Sequence, residues 1–250
     1  MNILLCGCMG HMGHAVTAAA NAAKDTVVAG IDRMPGDGTF PVYPTAADCP
    51  DTVGADVIVD FSNPSAFDGV LAYALAKRLP LVVATTGLSA AQTDAIRAAA
   101  QTIPVFFSSN MSLGVALLAA LTKKAAAVLG DSFDIEILEM HHNRKLDAPS
   151  GTALMLADAV KEGLAYEPTY VYDRHERRQK RDPHEIGIAS LRGGTVVGEH
   201  QVILAGEDET ITLSHRAQSR GIFAAGALRA AHFLTEQPAG LYTMEDLLSV

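Results

Sequence analysis

Two adjacent histidines, a nearby lysine and a small-residue turn stand together between Glu139 and Leu154, E-M-H-H-N-R-K-L-D-A-P-S-G-T-A-L. The ordinary pKa of histidine lies nearest neutrality among side chains, so His141 and His142 can give or take a proton. Lys145 adds a donor and a positive charge. Ser150-Gly151-Thr152 opens a helix-like run, and backbone N–H groups at a helix start, with the helix dipole behind them, suit an anion. Chemically, the stretch is a pocket for an acidic substrate with a proton donor beside it. Any one of these residues alone would read as a surface group or a helix cap; their company within one short stretch points to chemistry.

The flanking pattern says how they are held. An apolar alternation, Phe133-Asp134-Ile135-Glu136-Ile137-Leu138, predicts a strand before the cluster. Leu154, Leu156, Ala157 and Val160 predict a helix after it. The cluster therefore occupies a strand-to-helix loop, where a scaffold positions side chains that remain free to meet a ligand.

A second constellation opens the chain. The buried-strand pattern Ile3-Leu4-Leu5-Cys6 runs into Gly7-Cys8-Met9-Gly10-His11-Met12-Gly13 and then an alanine-rich helix to about Ala23. Strand, spaced glycines and helix make a variant of the dinucleotide-binding turn, in which the backbone approaches a pyrophosphate at a helix N-terminus. The next strand, Val27–Ile31, ends at Asp32-Arg33, where such folds place an acid on the ribose hydroxyls. Asp32 suits NADH and Arg33 suits a 2′-phosphate, so both cofactors stay open. After a Pro/Gly-rich connection over 34–54, strands at 56–61, 81–84 and 105–107 alternate with helices at 64–77 and 90–100. That alternation predicts a Rossmann-like, doubly wound parallel sheet. Ligands in such sheets sit beyond the carboxyl ends of the strands, which places Ala84-Thr85-Thr86 and Ser108-Ser109-Asn110 in the cofactor cleft.

Beyond the apolar helix at 111–129, whose Leu/Val stripe is expected in the core, the pattern turns to strands at 169–172, 186–191, 196–204 and 210–215. Short connections predict an α+β domain with a mostly antiparallel sheet. A final helix from Phe223 and a helical tail through Leu248 return the chain to the first domain. The expected division is 1–108 with 217–250 for dinucleotide binding, and 109–216 for substrate binding and oligomerisation. His200 and His215 fall inside strand patterns and are expected to be structural. The basic run Arg174–Arg181 is expected to be a solvated loop.

Composition limits the function. The net charge of −9 excludes a general nucleic-acid binder. Three cysteines, Cys6, Cys8 and Cys49, supply neither a disulfide framework nor a metal set. No apolar run approaches a membrane span and no secretory leader is evident, so a soluble cytoplasmic protein is expected.

The residues from Glu139 to Leu154 resemble the motif of the dihydrodipicolinate (4-hydroxy-tetrahydrodipicolinate) reductase family of bacterial diaminopimelate and lysine synthesis. The likeness runs nearly the whole chain, through G-C-M-G-H-M-G, Ala84–Gly87, Ser109–Val115, Ile188–His200, His215–Ala217, Phe223–Ala227 and Gly240–Met244. It implies His141 as proton donor and acceptor and Lys145 as the donor completing ring reduction. It implies His142, Ser150, Gly151 and Thr152 as contacts to a small dicarboxylate substrate. Cofactor contacts would be Gly7, Cys8, Met9, Gly10, His11, Met12, Asp32, Arg33, Ala84, Thr85, Thr86, Ser108, Ser109, Asn110 and Met111, with NADH, NADPH or both as cofactor, no metal, and a homotetramer joined through the second-domain sheets. Two positions depart from the family's frequent G-A-x-G-R-M-G: Cys8 replaces alanine, and His11 replaces the arginine that helps grip the 2′-phosphate, which implies dual cofactor use leaning to NADH. Aspartate and homoserine dehydrogenases share the nucleotide-binding pattern but lack the His-His-x-x-Lys loop followed by Ser-Gly-Thr. A dinucleotide-sensing regulator would need a DNA-binding module that the sequence does not show.

Overall fold

A computed structural model describes residues 1–249 and divides the chain into two compact units, Met1–Leu113 with Arg220–Val250, and Gly114–Ser219. The first unit begins with β1 (Asn2–Cys6), whose Ile3, Leu4, Leu5 and Cys6 are fully buried, as expected of a central strand covered on both faces. Gly7 follows with φ +74°, and a Cβ there would lie 2.5 Å from the Phe61 carbonyl oxygen, so only glycine makes this turn. α1 (His11–Ala23) ends at Lys24 in the left-handed region, and β2 (Thr26–Ile31) follows. The 34–54 connection holds a two-residue strand, β3 (Val42–Tyr43), and two short 3-10 turns. Next come β4 (Val57–Asp60), α2 (Pro64–Lys77), β5 (Leu81–Val83), α3 (Ala90–Ala99) and β6 (Pro104–Phe107). Asn63 caps α2 by accepting from Ser65 N–H, with Pro64 at the first helical position; Ser89 and Gln92 form a capping box on α3.

In the second unit α4 (Leu113–Leu129) leads to β7 (Asp134–His141), α5 (Gly151–Gly163), β8 (Thr169–Val171), β9 (Glu185–Arg192), β10 (Gly198–Ala205) and β11 (Thr210–Ala217). Its sheet runs β11-β10-β7-β9-β8. β10 pairs antiparallel with β7 and with its hairpin partner β11, while β9 runs parallel to β7 and to β8, the chain crossing back through α5 before β8 and through the 172–184 connection before β9. α4 and α5 cover one face, burying Leu118, Ala126, Leu156 and Val160 against Ile135, Ile137, Val202 and Leu204. The α4 stripe divides. Val115, Leu118 and Ala126 are buried, whereas Leu117, Leu121 and Val128 point the other way and are 49 %, 48 % and 71 % exposed, so the expectation of a wholly core stripe fails for that half of the helix.

The basic run is an exposed loop from Arg174 to Lys180, as expected, but three of its arginines are also engaged with the sheet. Arg174 reaches Glu136 and Glu185, both at 2.7 Å, and Arg181 reaches Asp134 at 2.8 Å and Glu136 at 3.1 Å. Arg181 also donates to the carbonyls of Ile135 and Glu185. Burial would raise the Glu185 carboxyl, but Arg174, Arg181 and Arg177 together hold it below the usual range.

The chain then returns to the first unit through α6 (Gly221–Thr235) and β12 (Gly240–Tyr242). The tail expected to be helical is thus a strand, parallel to β6, followed by a single 3-10 turn at Asp246–Leu248. The seven-stranded sheet is parallel throughout, in the order β12-β6-β5-β4-β1-β2-β3, with α2 and α3 on one face and α6 packed beside α1 against β4, β5 and β6. Residues up to Leu113 stay with this unit because Met111 packs on α6: a Cβ at Gly226 would lie 1.7 Å from the Met111 carbonyl oxygen.

Candidate active site

The direction of strand order reverses between β1 and β4, and the crevice at their carboxyl ends holds the glycine turn. Gly7 N–H donates to the Ile31 carbonyl at 2.8 Å, and Gly10 N–H to the Gly7 carbonyl at 3.1 Å. Asp32, at the end of β2, accepts from the N–H groups of Met9 and Met34, both at 3.0 Å, tying the turn to the loop beyond β2. No side chain caps α1, so its first turn is not claimed by a local oxygen acceptor. Beside the turn lies a cavity of about 690 Å³ whose walls include Gly7, Gly10, Asp32, Arg33, Ala46 and Tyr73. Arg33 spans one edge, donating to Ser65 Oγ at 3.1 Å. A glycine turn at an uncapped helix start, an acid at the next strand end and a largely apolar cavity fit the pyrophosphate, ribose and adenine of a dinucleotide.

Several expected cofactor residues offer only backbone. Cys8 is buried, and burial first, then the Asp32 charge, push its thiol up to about 11. Ala84 is buried, and Thr85 spends its hydroxyl on Asp60 at 2.9 Å. Asp60 is itself fully buried; burial raises its carboxyl against the bonds from Ser62 and Thr85. Ser108 donates to the Asn110 carbonyl at 2.8 Å, and Asn110 accepts from Ser112 N–H at 2.9 Å, so this loop folds on itself. Met111 is buried, Met9 and Met12 are half-buried, and His11, Thr86 and Ser109 are exposed.

The histidine loop lies in the second unit. Alternation along β7 turns Glu139 and His141 inward, on the face that carries Ile135 and Ile137. Glu139 is fully buried and its carboxylate meets His141, Arg192 and Ser150. His141 Nδ1 lies 2.6 Å from its Oε2, Arg192 donates to both oxygens at 2.8 Å, and Ser150 N–H donates to Oε1 at 3.2 Å. Burial alone would raise this carboxyl, but the bonds from Arg192, His141 and Ser190 override it and hold it at about 2. Arg192 is anchored in turn on the carbonyls of Leu191 and Asp147, both at 2.6 Å.

Ser150 caps α5, its hydroxyl accepting from Ala153 N–H at 3.1 Å, and lies 3.0 Å from His200 Nε2. The His200 ring stands edge-on to His141 with centroids 5.2 Å apart. Burial, and then the neighbouring His141, push its pKa down to about 4, so it is neutral at neutral pH. Lys145 pairs with Asp147 at 2.8 Å. His142 is half-buried, and among the described residues its buried Nδ1 has no partner. Gly151 is exposed at the start of α5, with no atom within 4 Å of where its Cβ would be.

The structure thus gathers His141, Ser150, Arg192 and His200 around Glu139, with His142, Lys145, Gly151 and Thr152 along the loop and the helix start. Sequence reasoning passed over Glu139 and Arg192 and placed His200 among structural residues. One signal was present: Glu139 and His141 occupy the inward phase of a strand whose other inward residues are isoleucines.

The family description "Dihydrodipicolinate reductase, N-terminus" matches residues 1–111, and "Dihydrodipicolinate reductase, C-terminus" matches 114–248. The 4-hydroxy-tetrahydrodipicolinate reductase of Caldanaerobacter subterraneus subsp. tengcongensis is 48 % identical over 249 residues, 99 % of this chain and 98 % of that one. Its counterpart from Staphylococcus carnosus is 47 % identical over 247 residues, covering 99 % of each. Among solved structures, the dipicolinate-bound dihydrodipicolinate reductase from Paenisporosarcina sp. TG-14 superposes with a TM-score of 0.82 at 24 % identity, covering 97 % of each chain, and shares the fold. Two family descriptions that together span nearly every residue, and full-length relatives at almost half identity, place this chain in the dihydrodipicolinate reductase family.

Proposed function

We propose that the chain catalyses NAD(P)H-dependent reduction of 4-hydroxy-tetrahydrodipicolinate (dihydrodipicolinate) to tetrahydrodipicolinate, in diaminopimelate and lysine biosynthesis. The observation that carries this is the Glu139-held His141 beside the Ser150-capped start of α5, in a chain of this family. A proton donor next to an anion-ready helix terminus suits a dicarboxylate that must gain a proton as it is reduced.

In this reading His141 is the proton donor and acceptor, and Lys145 the cation and donor that completes the reduction. His142, Ser150, Gly151 and Thr152 hold the substrate carboxylates. Ser150 acts there by capping and fixing the helix start, since its hydroxyl and its own N–H are already engaged. A bound reduced nicotinamide dinucleotide supplies the hydride. The turn from Gly7 to Met12 holds the pyrophosphate, Asp32 and Arg33 face the adenosine ribose, and Ala84–Thr86 with Ser108–Met111 border the rest of the cofactor. Asp32 and Arg33 both line the cavity, which supports use of NADH and NADPH, and His11 in place of arginine supports a lean to NADH.

No helix among the described residues is long and apolar enough to cross a membrane, which is compatible with a cytoplasmic enzyme. A homotetramer is supported by the apolar residues on the face of the second sheet turned away from α4 and α5. Leu138, Met140, Ala189, Leu191 and Ile203 share it by register, and Leu191 is 48 % exposed.

Nicotinamide absorbance followed during mixing with freshly generated substrate, with NADH and then NADPH, tests the reaction. Rapid oxidation is expected with both. Lys145→Ala is expected to lower kcat by about 100-fold or more, the usual share of a positioned proton donor, with NADH affinity intact. No oxidation by folded, cofactor-binding protein would overturn the proposed reaction, and unchanged turnover in the variant would overturn the role of Lys145.

A further inference from the structure

Glu139 contacts more of the site than any assigned residue, yet it is neither a proton donor nor a substrate contact in the proposed reaction. A structural ion pair with Arg192 would require neither a histidine nor a helix start on the same carboxylate. Here one oxygen faces His141 Nδ1 at 2.6 Å and the other accepts the Ser150 N–H at 3.2 Å, while the two terminal nitrogens of Arg192 fix the carboxylate plane. An ionised carboxylate only accepts hydrogen bonds, so the nitrogen facing it must carry a proton. The edge-on His200 ring at 5.2 Å and the inward phase of β7 hold the imidazole in that orientation. The other nitrogen, Nε2, lies beside Gly198, where a Cβ would come within 3.0 Å of it.

We propose that Glu139 is a positioning residue for the reduction, fixing a proton on His141 Nδ1 so that Nε2 alone exchanges protons with the substrate, and tying the carboxylate-binding start of α5 to that histidine. The inference rests on His141 being the proton donor. In the donor form both ring nitrogens are protonated. Transfer of the Nε2 proton to the substrate leaves the neutral ring with its remaining proton on Nδ1, still bonded to Glu139, and no ring flip is needed between turnovers. Ser150 N–H on the second oxygen keeps the substrate's anchoring point in register with the proton it receives.

The test is 15N NMR of the full-length protein labelled at histidine, with the His141 ring assigned through His141→Gln. The neutral wild-type ring is expected to carry its proton on Nδ1. Glu139→Gln, whose amide can donate to Nδ1, is expected to move that proton to Nε2 and to lower kcat by about 10²- to 10⁴-fold with the KM for NADH unchanged. A merely structural role would lower kcat only with the folded fraction and would leave the tautomer alone. A wild-type His141 with bare Nδ1 overturns the proposal even if the variant does not fold, as does a variant that keeps both tautomer and kcat. If the wild type does not turn over, the proposed reaction fails while the tautomer is still read.

Discussion

The buried ion pair of Glu139 makes a quantitative claim about acid stability. Its carboxyl is held at about 2 against an ordinary 4.5. The unfolded chain therefore takes up a proton as pH falls through 4.5, while the folded chain resists until about pH 2. Because the folded value is depressed, the contribution is complete above pH 4.5 and is lost as pH falls below it. Integrated over that interval it amounts to about 3 kcal/mol, of which about 2 kcal/mol is gone by pH 3. The perturbation that isolates it is Glu139→Gln, which keeps the shape and removes the titration. Urea unfolding followed by circular dichroism, run on both proteins at pH 7, 5 and 3, reads the difference. Wild type is expected to exceed the variant by about 3 kcal/mol at pH 7 and by only about 1 kcal/mol at pH 3, since every other carboxylate is common to both and cancels. A gap of the same size at pH 7 and pH 3 would refute an ionised Glu139 in the core.

Two further substitutions probe the geometry directly. Gly198→Ala puts a methyl 3.0 Å from His141 Nε2 and 3.4 Å from its Cδ2, so the ring must yield; kcat is expected to fall about 10- to 100-fold, with little change in melting temperature, and normal turnover would show that the ring position is not critical. Gly7→Ala combines a φ of +74° with a contact of 2.5 Å to the Phe61 carbonyl; NADH binding by calorimetry is expected to weaken by at least about tenfold, with about 2 kcal/mol of stability lost, and wild-type affinity would place the cofactor elsewhere.

What the sequence made legible was local. Strand, glycine turn and helix follow one another within the first 23 residues, and the buried run at β1 could only be a central strand. The histidine loop was legible because its donors lie within a dozen positions. The partners that give those donors their chemistry were not. Arg192 reaches Glu139 from 53 positions away, and His200 meets Ser150 across 50, through pairings of β7 with β9 and β10 that no short-range pattern encodes. The basic run shows the same limit. Three of its arginines, Arg174, Arg177 and Arg181, gain carboxylate partners only when the sheet brings Glu136, Glu185 and Asp134 to the loop. Gly240–Tyr242 was misassigned because three residues are too few to establish a period, and β6 supplies the pairing that makes them a strand.

The route of the chain through the first sheet also bears on how the protein is made. Residues 114–219 form an uninterrupted unit whose strands and helices all emerge from the ribosome in one stretch. The parallel sheet has no such convenience. One of its faces waits for α6, and β6 stays an edge until Gly240–Tyr242 arrives. The segment synthesised first is therefore completed last, and its half-covered strands persist while the later unit is already able to close. During that interval Val105 and Phe106, fully buried in the finished protein, lie on a strand edge that a chaperone or a neighbouring nascent chain can reach.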